Sequence, residues 1–249
     1  DDNFSKVKEN FSGYVIPIGV YGMYLNRENR FYATVGFSGR HWFVKSNTQS
    51  QYGPFNVWYH EMNTVPGSDL YAGKYSSVTN VIDYPGTGYV LTKWVHPMDA
   101  LKGTGSNLVA KYYPIIRYAD VVLSLAECLN EQGNTTEAIE WVNKVRARAG
   151  VALLNSNTYT QVTGQDNMRE RIRNERRWEF AGEGVNFFDE MRWKTLHESK
   201  FFEGAGLKQI WGTIQYSYSW AGDYIYNWAV PKSEIQMNEN LKQNEGWID

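Results

Sequence analysis

Helical periodicity is concentrated between residues 115 and 198. From Ile115 to about Gln132, the residues Tyr118, Val122, Leu125, Ala126 and Leu129 recur at i, i+4, i+7, i+8 and i+11, the repeat of one helical face. Val121, Leu123 and Cys128 widen that face and leave only a narrow polar stripe of Arg117, Asp120, Ser124, Glu127 and Glu131. A helix this apolar is expected to be mostly enclosed. Gly133 follows where a left-handed stop is favoured. Asn134 and Glu137 then have the spacing of a capping box that opens a second helix, running to about Ala149 and ended by Gly150. That helix is expected to bury Ala138, Trp141, Val142 and Val145, with Glu140 and Lys144 paired on its wet side. A connection of one or two residues makes the pair an antiparallel hairpin. A third helix is expected after Thr163, with Asp166 as its capping-box acid, reaching about Ala181 before Gly182 and Gly184 break it. A short fourth follows, from about Phe187 to His197.

Outside this stretch the periodicity disappears. Residues 1–110 and 199–249 are rich in Gly, Tyr, Trp and Asn. One hairpin stands out: Phe31, Ala33, Val35 and Phe37 alternate, Ser38-Gly39 is turn-prone, and His41 to Val44 returns. The expected fold is therefore mainly α. A helical scaffold at 111–198 carries long aromatic-rich loops and a few short β-hairpins. Residues 1–110 form the ligand-facing, loop-rich region, and residues 199–249 form a loop and tail packed on the scaffold.

Charge and motifs narrow the chemistry. The 249 residues hold 25 Lys and Arg against 27 Asp and Glu, a net charge of -2. Nucleic-acid binding needs a surplus of basic residues, so no nucleic-acid partner is expected. The single cysteine, Cys128, excludes an internal disulfide. It falls on the apolar side of the first helix, where a thiol is expected to be buried and inert. No run approaches the roughly 18 apolar residues of a membrane span, and no signal peptide is visible. There is no Gly-x-Ser-x-Gly elbow and no phosphate loop; Gly86-Thr87-Gly88 and Gly103-Thr104-Gly105 lack the third glycine. None of His41, His60, His96 and His197 has a histidine partner at i+4, so no metal and no cofactor is assigned.

Two carboxylate pairs, Glu127 with Glu131 and Glu175 with Glu179, lie one helical turn apart. Glycoside hydrolysis uses two carboxylates, roughly 5 to 9.5 Å apart. Here both pairs sit among arginines at matching spacings, and an ion-pair network is the better reading. Arg117 with Glu127, and Arg146 or Arg148 with Glu175 or Glu179, would tie three helices together and give register more than stability. No catalytic residue is assigned.

Aromatic residues make up 16% of the chain, a surplus over what a core demands. Trp42, Tyr52, Phe55, Trp58 and Tyr59 fall close together, interleaved with Arg40, His41, Asn47, Gln49, Gln51 and Asn56. Flat rings match the apolar C–H face of a pyranose, and amide, imidazole and guanidinium groups match its hydroxyls, the general composition of a ligand site. The candidate ligand-binding residues are Trp42, Trp58, Tyr52, Tyr59, Arg40 and His41. A second cluster, Trp211, Tyr216, Tyr218, Trp220, Tyr224, Tyr226 and Trp228, is weaker, and several of its rings are expected to cover the helices.

Several blocks of the sequence, in order, resemble the SusD/RagB family. They are Ile116-Arg-Tyr-Ala-Asp120 with the run to Glu127, Ala138 to Gly150, Ile172 to Gly184 with Phe188 to Trp193, and Val230 to Ile235 followed by Gln243-Asn-Glu-Gly-Trp247. Upstream, Asn29 to Val35, Gly39 with Trp42, and Gly88 to Lys93 also look like family signatures. The resemblance implies a SusD-like α-helical scaffold and the C-terminal portion of a longer protein, without its N-terminal helical-repeat half. It implies a surface-exposed outer-membrane lipoprotein that binds glycans without cleaving them and passes them to a SusC-like TonB-dependent transporter. Its contact with the membrane would be through an N-terminal lipid anchor absent from these residues. Some relatives bind peptides instead. Ligand contacts in the family come from variable loops, so the resemblance assigns no ligand residue.

Overall fold

The computed structural model describes residues 20, 22–37, 40, 89–96, 109–198 and 220–248, together with the backbone alone of 9–11, 14–16, 41–42 and 55–57. The elements in chain order are β1 (Glu9–Phe11), β2 (Tyr14–Ile16), α1 (Asn29–Thr34), β3 (Val35–Gly36), β4 (Arg40–Trp42), β5 (Phe55–Val57), β6 (Val90–Leu91), α2 (Tyr118–Glu131), α3 (Thr135–Ala149), α4 (Gln165–Glu179), α5 (Val185–Trp193) and α6 (Lys232–Met237). The fold is mainly helical. The strands form three antiparallel pairs, β1 with β2, β3 with β6 and β4 with β5. Contacts group the chain into two compact units, 1–183 and 184–249. Within the first unit, side chains from α1 and from the segment after β6 bind directly to α4.

The core of the first unit is made where α2, α3 and α4 pack together. Leu123 and Ala126 of α2, Ala138 and Val142 of α3, and Met168 and Ile172 of α4 are buried there. The α2–α3 turn follows the sequence closely. Gly133 is left-handed, and the Asn134 N–H donates to the Leu129 carbonyl at 2.9 Å, closing α2. Gly150 is left-handed and closes α3. The expected capping boxes do not form. Asn134 makes no side-chain cap on α3, where Thr135 donates to the Asn130 side chain at 3.0 Å instead. Helix α4 begins after Gly164, without a side-chain cap.

The burial of α2 differs from expectation. The helix starts at Tyr118 and buries Val122, Leu123, Ala126 and Asn130, while Tyr118, Val121, Leu125 and Cys128 are exposed. Periodicity shows that an apolar surface exists but not which part of a wide one meets a neighbour. Here α3 and α4 cover one side. Cys128 is thus on the surface, not in the core. On α3, the Lys144 ammonium stands 3.3 Å from the centre of the Trp141 ring rather than paired with Glu140.

The largest revision concerns residues 29–44. The alternation from Phe31 to Phe37 predicted a hairpin strand, but residues 29–34 form α1, and only Val35 and Gly36 are extended. Strand β3 pairs with distant β6 (Val35 opposite Leu91), and β4 pairs with β5 (Trp42 opposite Phe55). Tertiary contacts override the local pattern. As a helical turn, 29–34 buries Tyr32, whose hydroxyl donates to the Tyr24 carbonyl at 2.7 Å and accepts from the Arg27 N–H at 2.9 Å. Tyr24 and Phe37 stack 4.4 Å apart beside it.

In the second unit, α5 ends at Trp193, a short 3-10 turn follows at Leu196–Glu198, and α6 lies near the C-terminus. The tail is held by side chains that bond backbone. Gln243 accepts from the Val230 N–H at 2.8 Å and donates to the Val230 carbonyl at 3.0 Å, as a paired strand would. The Trp247 indole N–H donates to the carbonyls of Tyr224 and Asn227.

Candidate functional site

A lattice of guanidinium and carboxylate groups surrounds the second half of α4. Glu175 and Glu179 are one turn apart, so both carboxylates leave the same side of the helix. Glu175 accepts from Arg30 at 2.7 Å with one oxygen and from Arg146 at 2.5 Å with the other. Glu179 accepts from Arg117 at 2.7 Å with one oxygen, and from Arg148 at 2.5 Å and Arg30 at 3.2 Å with the other. Arg30 also forms a two-bond fork with Glu28, at 3.1 and 3.0 Å. The lattice therefore joins α1, α3, α4 and the start of α2. It contains Arg117, Arg146, Arg148, Glu175 and Glu179 from the sequence candidates. The pairing of Arg117 with Glu127 is not what forms: Arg117 is the N-cap of α2 and grips Glu179 and Glu183. Ten residues along a helix are about 15 Å, too far for one side chain to pair back.

The C-terminal end of α4 is closed by cations. Arg117 donates to the Glu179 carbonyl at 3.0 Å, and Lys93 donates to the carbonyls of Glu179 and Ala181, each at 3.2 Å, while also pairing with the Glu183 carboxylate. The Trp94 indole donates to the Gly182 carbonyl at 3.1 Å. These donors satisfy carbonyls that have no partner within the helix, and the positive charge suits the negative end of its dipole. Gly182 is left-handed, a conformation that favours glycine, and it packs against the Leu91 side chain of β6, which would have to shift to admit a Cβ.

The electrostatics argue against a general-acid role for Glu179. Burial alone would raise the pKa of Glu179, but the Arg117 hydrogen bond and the charges of Arg148 and Arg117 outweigh it and hold the carboxyl below its usual range. A glycosidase acid needs the opposite, a pKa raised so that the group stays protonated. Arg30 is likewise held in its charged form: burial opposes it, but the Glu28 hydrogen bond and the Glu175 charge prevail. At the other carboxylate pair, hydrogen bonding from Arg169 lowers the Glu131 pKa.

Of the six ligand candidates, Tyr52, Trp58 and Tyr59 lie outside the described residues, as do Asn47, Gln49 and Gln51. His41 and Trp42 are placed on β4 by backbone alone. Arg40 is only 2% exposed, and its guanidinium donates to the Val35 carbonyl at 2.7 Å and the Thr92 hydroxyl at 2.8 Å. It braces the β3–β6 pair and is removed from the ligand set.

The structure also brings together residues that the sequence did not group. The turn before α1 and the last turn of α4 line an open cleft of about 440 Å3 that includes Asn26, Arg27, Phe31 and Trp178, with Glu28 and Arg30 at its charged side. Trp178 is 49% exposed. Its neighbours in the cleft lie some 150 residues away in sequence, so no local pattern could have paired them.

The SusD family model matches residues 2–247. The chain belongs to the SusD family. Among curated SusD-family proteins, it is 40% identical over 138 residues to SusD-like protein P25 of Formosa agariphila, covering 53% of this chain and 23% of that one. It is 41% identical over 81 residues to SusD-like protein P38 of the same organism, covering 31% of this chain and 16% of that one. The crystal structure of a SusD-like protein from Bacteroides fragilis superposes with a TM-score of 0.67 at 28% identity, over 91% of this chain and 40% of that chain. The chain thus spans well under half the length of these SusD-family relatives. Among the described residues, no helix is long and apolar enough to cross a membrane.

Proposed function

We propose that this chain is part of a non-catalytic cell-surface protein that captures oligo- or polysaccharides for import through a SusC-like TonB-dependent transporter, with the full-length protein lipid-anchored in the outer membrane. Membership of the SusD family over residues 2–247 carries this reading, since the family is one of nutrient-binding surface proteins. The saturated carboxylates of α4 support binding without hydrolysis, because every oxygen of Glu175 and Glu179 is held by a guanidinium. The aromatic and amide-rich stretch at 42–59 remains the proposed contact surface, with Trp42, Trp58, Tyr52, Tyr59 and His41 as its candidates. Peptide capture is the competing reading for the same surface.

Calorimetric titration against a panel of glycans and oligopeptides tests the proposal. Heat from at least one glycan, reduced in Trp42→Ala or Trp58→Ala, is the expected result. Binding of peptides and of no sugar would refute glycan capture. Unchanged affinity in both variants would refute the assigned surface. New reducing ends released from a bound polysaccharide would overturn the non-enzymatic assignment.

A further inference from the structure

The cleft between α1 and α4 has the size and chemistry of a ligand site. Its volume of about 440 Å3 falls within the roughly 300–1,000 Å3 of small-molecule pockets. Three polar groups on its walls are available to a ligand. The Asn26 amide, on a left-handed residue, the Arg27 guanidinium and the Trp178 indole N–H have no hydrogen-bond or ion-pair partner among the described residues. The Arg27 guanidinium is already placed, 5.2 Å over the Phe31 ring.

The charge balance then selects the ligand. Arg30 and Glu28 also line the cleft, but they form a fork with each other, and Arg30 is matched again by Glu175 and Glu179. Arg27 is the cation of the cleft with no matching carboxylate among the described residues. A guanidinium in that state favours a carboxylate or sulfate, which it can hold through two parallel hydrogen bonds. Trp178 offers a flat apolar surface and Asn26 offers an amide, which suit the C–H face and the hydroxyls of a sugar ring. The walls are set in advance, because Arg30 clamps α1 to α4, and a preset site loses less on ordering.

We infer that this cleft binds a saccharide unit carrying an anionic group, a carboxylate or a sulfate. The inference rests on glycan capture as the function and names a place and a charge class for it. Trp178 stacks on the ring, Arg27 holds the anion, and Asn26 reads a hydroxyl.

Calorimetric titration of the whole 249-residue chain is the test, using oligogalacturonate, a sulfated oligosaccharide, neutral maltoheptaose and polyglutamate. Trp178→Ala, Arg27→Gln and Arg27→Lys are compared with the wild type, each checked for native circular dichroism. The expected result is binding of at least one of the two anionic sugars. Its affinity should fall roughly tenfold or more in Arg27→Gln and in Trp178→Ala, with Arg27→Lys in between. Wild-type binding should weaken with salt more steeply than that of Arg27→Gln. Whether oligogalacturonate or the sulfated sugar responds distinguishes carboxylate from sulfate. Glycan binding untouched by both substitutions overturns the cleft and leaves glycan capture standing. Binding of polyglutamate and of no sugar overturns both. Equal affinity for neutral and anionic sugars, or no binding of any probe, also overturns the cleft.

Discussion

Replacing Glu175 by Gln removes one negative charge from the least exposed point of the lattice. The Glu175 side chain is 0% exposed, and its two partners, Arg30 and Arg146, are 11% and 12% exposed. The amide leaves one neutral acceptor oxygen for two guanidinium groups, and Arg146, otherwise bonded to the Ala152 carbonyl at 2.8 Å, becomes a largely buried cation with no carboxylate. Removing one partner of a buried pair costs about 3–5 kcal/mol, and Glu175→Gln belongs at the upper end. Glu179→Gln should cost less, about 3 kcal/mol. Arg30 keeps Glu28 and Glu175, Arg117 keeps Glu183, and Arg148 is 58% exposed and returns to water. Arg148→Ala should cost about 1 kcal/mol or less for the same reason. Urea unfolding followed by far-UV circular dichroism reads all three, since the affected helices dominate the signal. Against a typical total of about 5–15 kcal/mol, the Glu175 variant should be visibly weakened. A loss under about 1 kcal/mol for Glu175→Gln, or a larger loss for Arg148→Ala than for Glu175→Gln, would refute the lattice as drawn.

Further outcomes follow from the same geometry. Glu179 has a folded-state pKa below its unfolded value, so its contribution is present above the ordinary carboxylate range and is lost as pH falls through the folded value. The stability gap between wild type and Glu179→Gln should therefore close on acidification, as urea midpoints from neutral to acidic pH will show. Cys128 is exposed, so Ellman's reagent should titrate one thiol without denaturant; modification only after unfolding would contradict the burial pattern of α2. The exposed Tyr118, Val121 and Leu125 on the same helix should promote self-association of this chain. Sedimentation should show less of it in a Val121→Glu, Leu125→Glu double variant, and a monodisperse wild-type monomer would count against it. Gly246 is left-handed, and a Cβ there would lie 2.4 Å from the Tyr224 side chain, so Gly246→Ala should destabilise the tail by more than about 1 kcal/mol, read as faster proteolytic trimming of the C-terminus.

Local chemistry accounts for what was legible in the sequence. The helices of 118–149 and 165–179 and the glycine stops at 133 and 150 follow from short-range periodicity and turn preferences, which act within a few residues, while the family was legible from the resemblance of blocks of residues in order. The partnership of α3 arginines with α4 glutamates was also visible, because charges of opposite sign recur at the spacing of one helical face. What the sequence could not decide was which apolar surface of α2 meets its neighbours, whether 29–34 is strand or helix, and which carboxylate Arg117 reaches. Those outcomes depend on contacts between segments tens of residues apart, such as Val35 opposite Leu91 and Arg30 against Glu175. Arg40 shows the same limit: a guanidinium among loop aromatics reads as a ligand contact until the β3–β6 pair closes over it. The cleft of Asn26, Arg27 and Trp178 exists only once α1 and α4 are clamped together, because side chains so distant in sequence share a wall only in the folded chain.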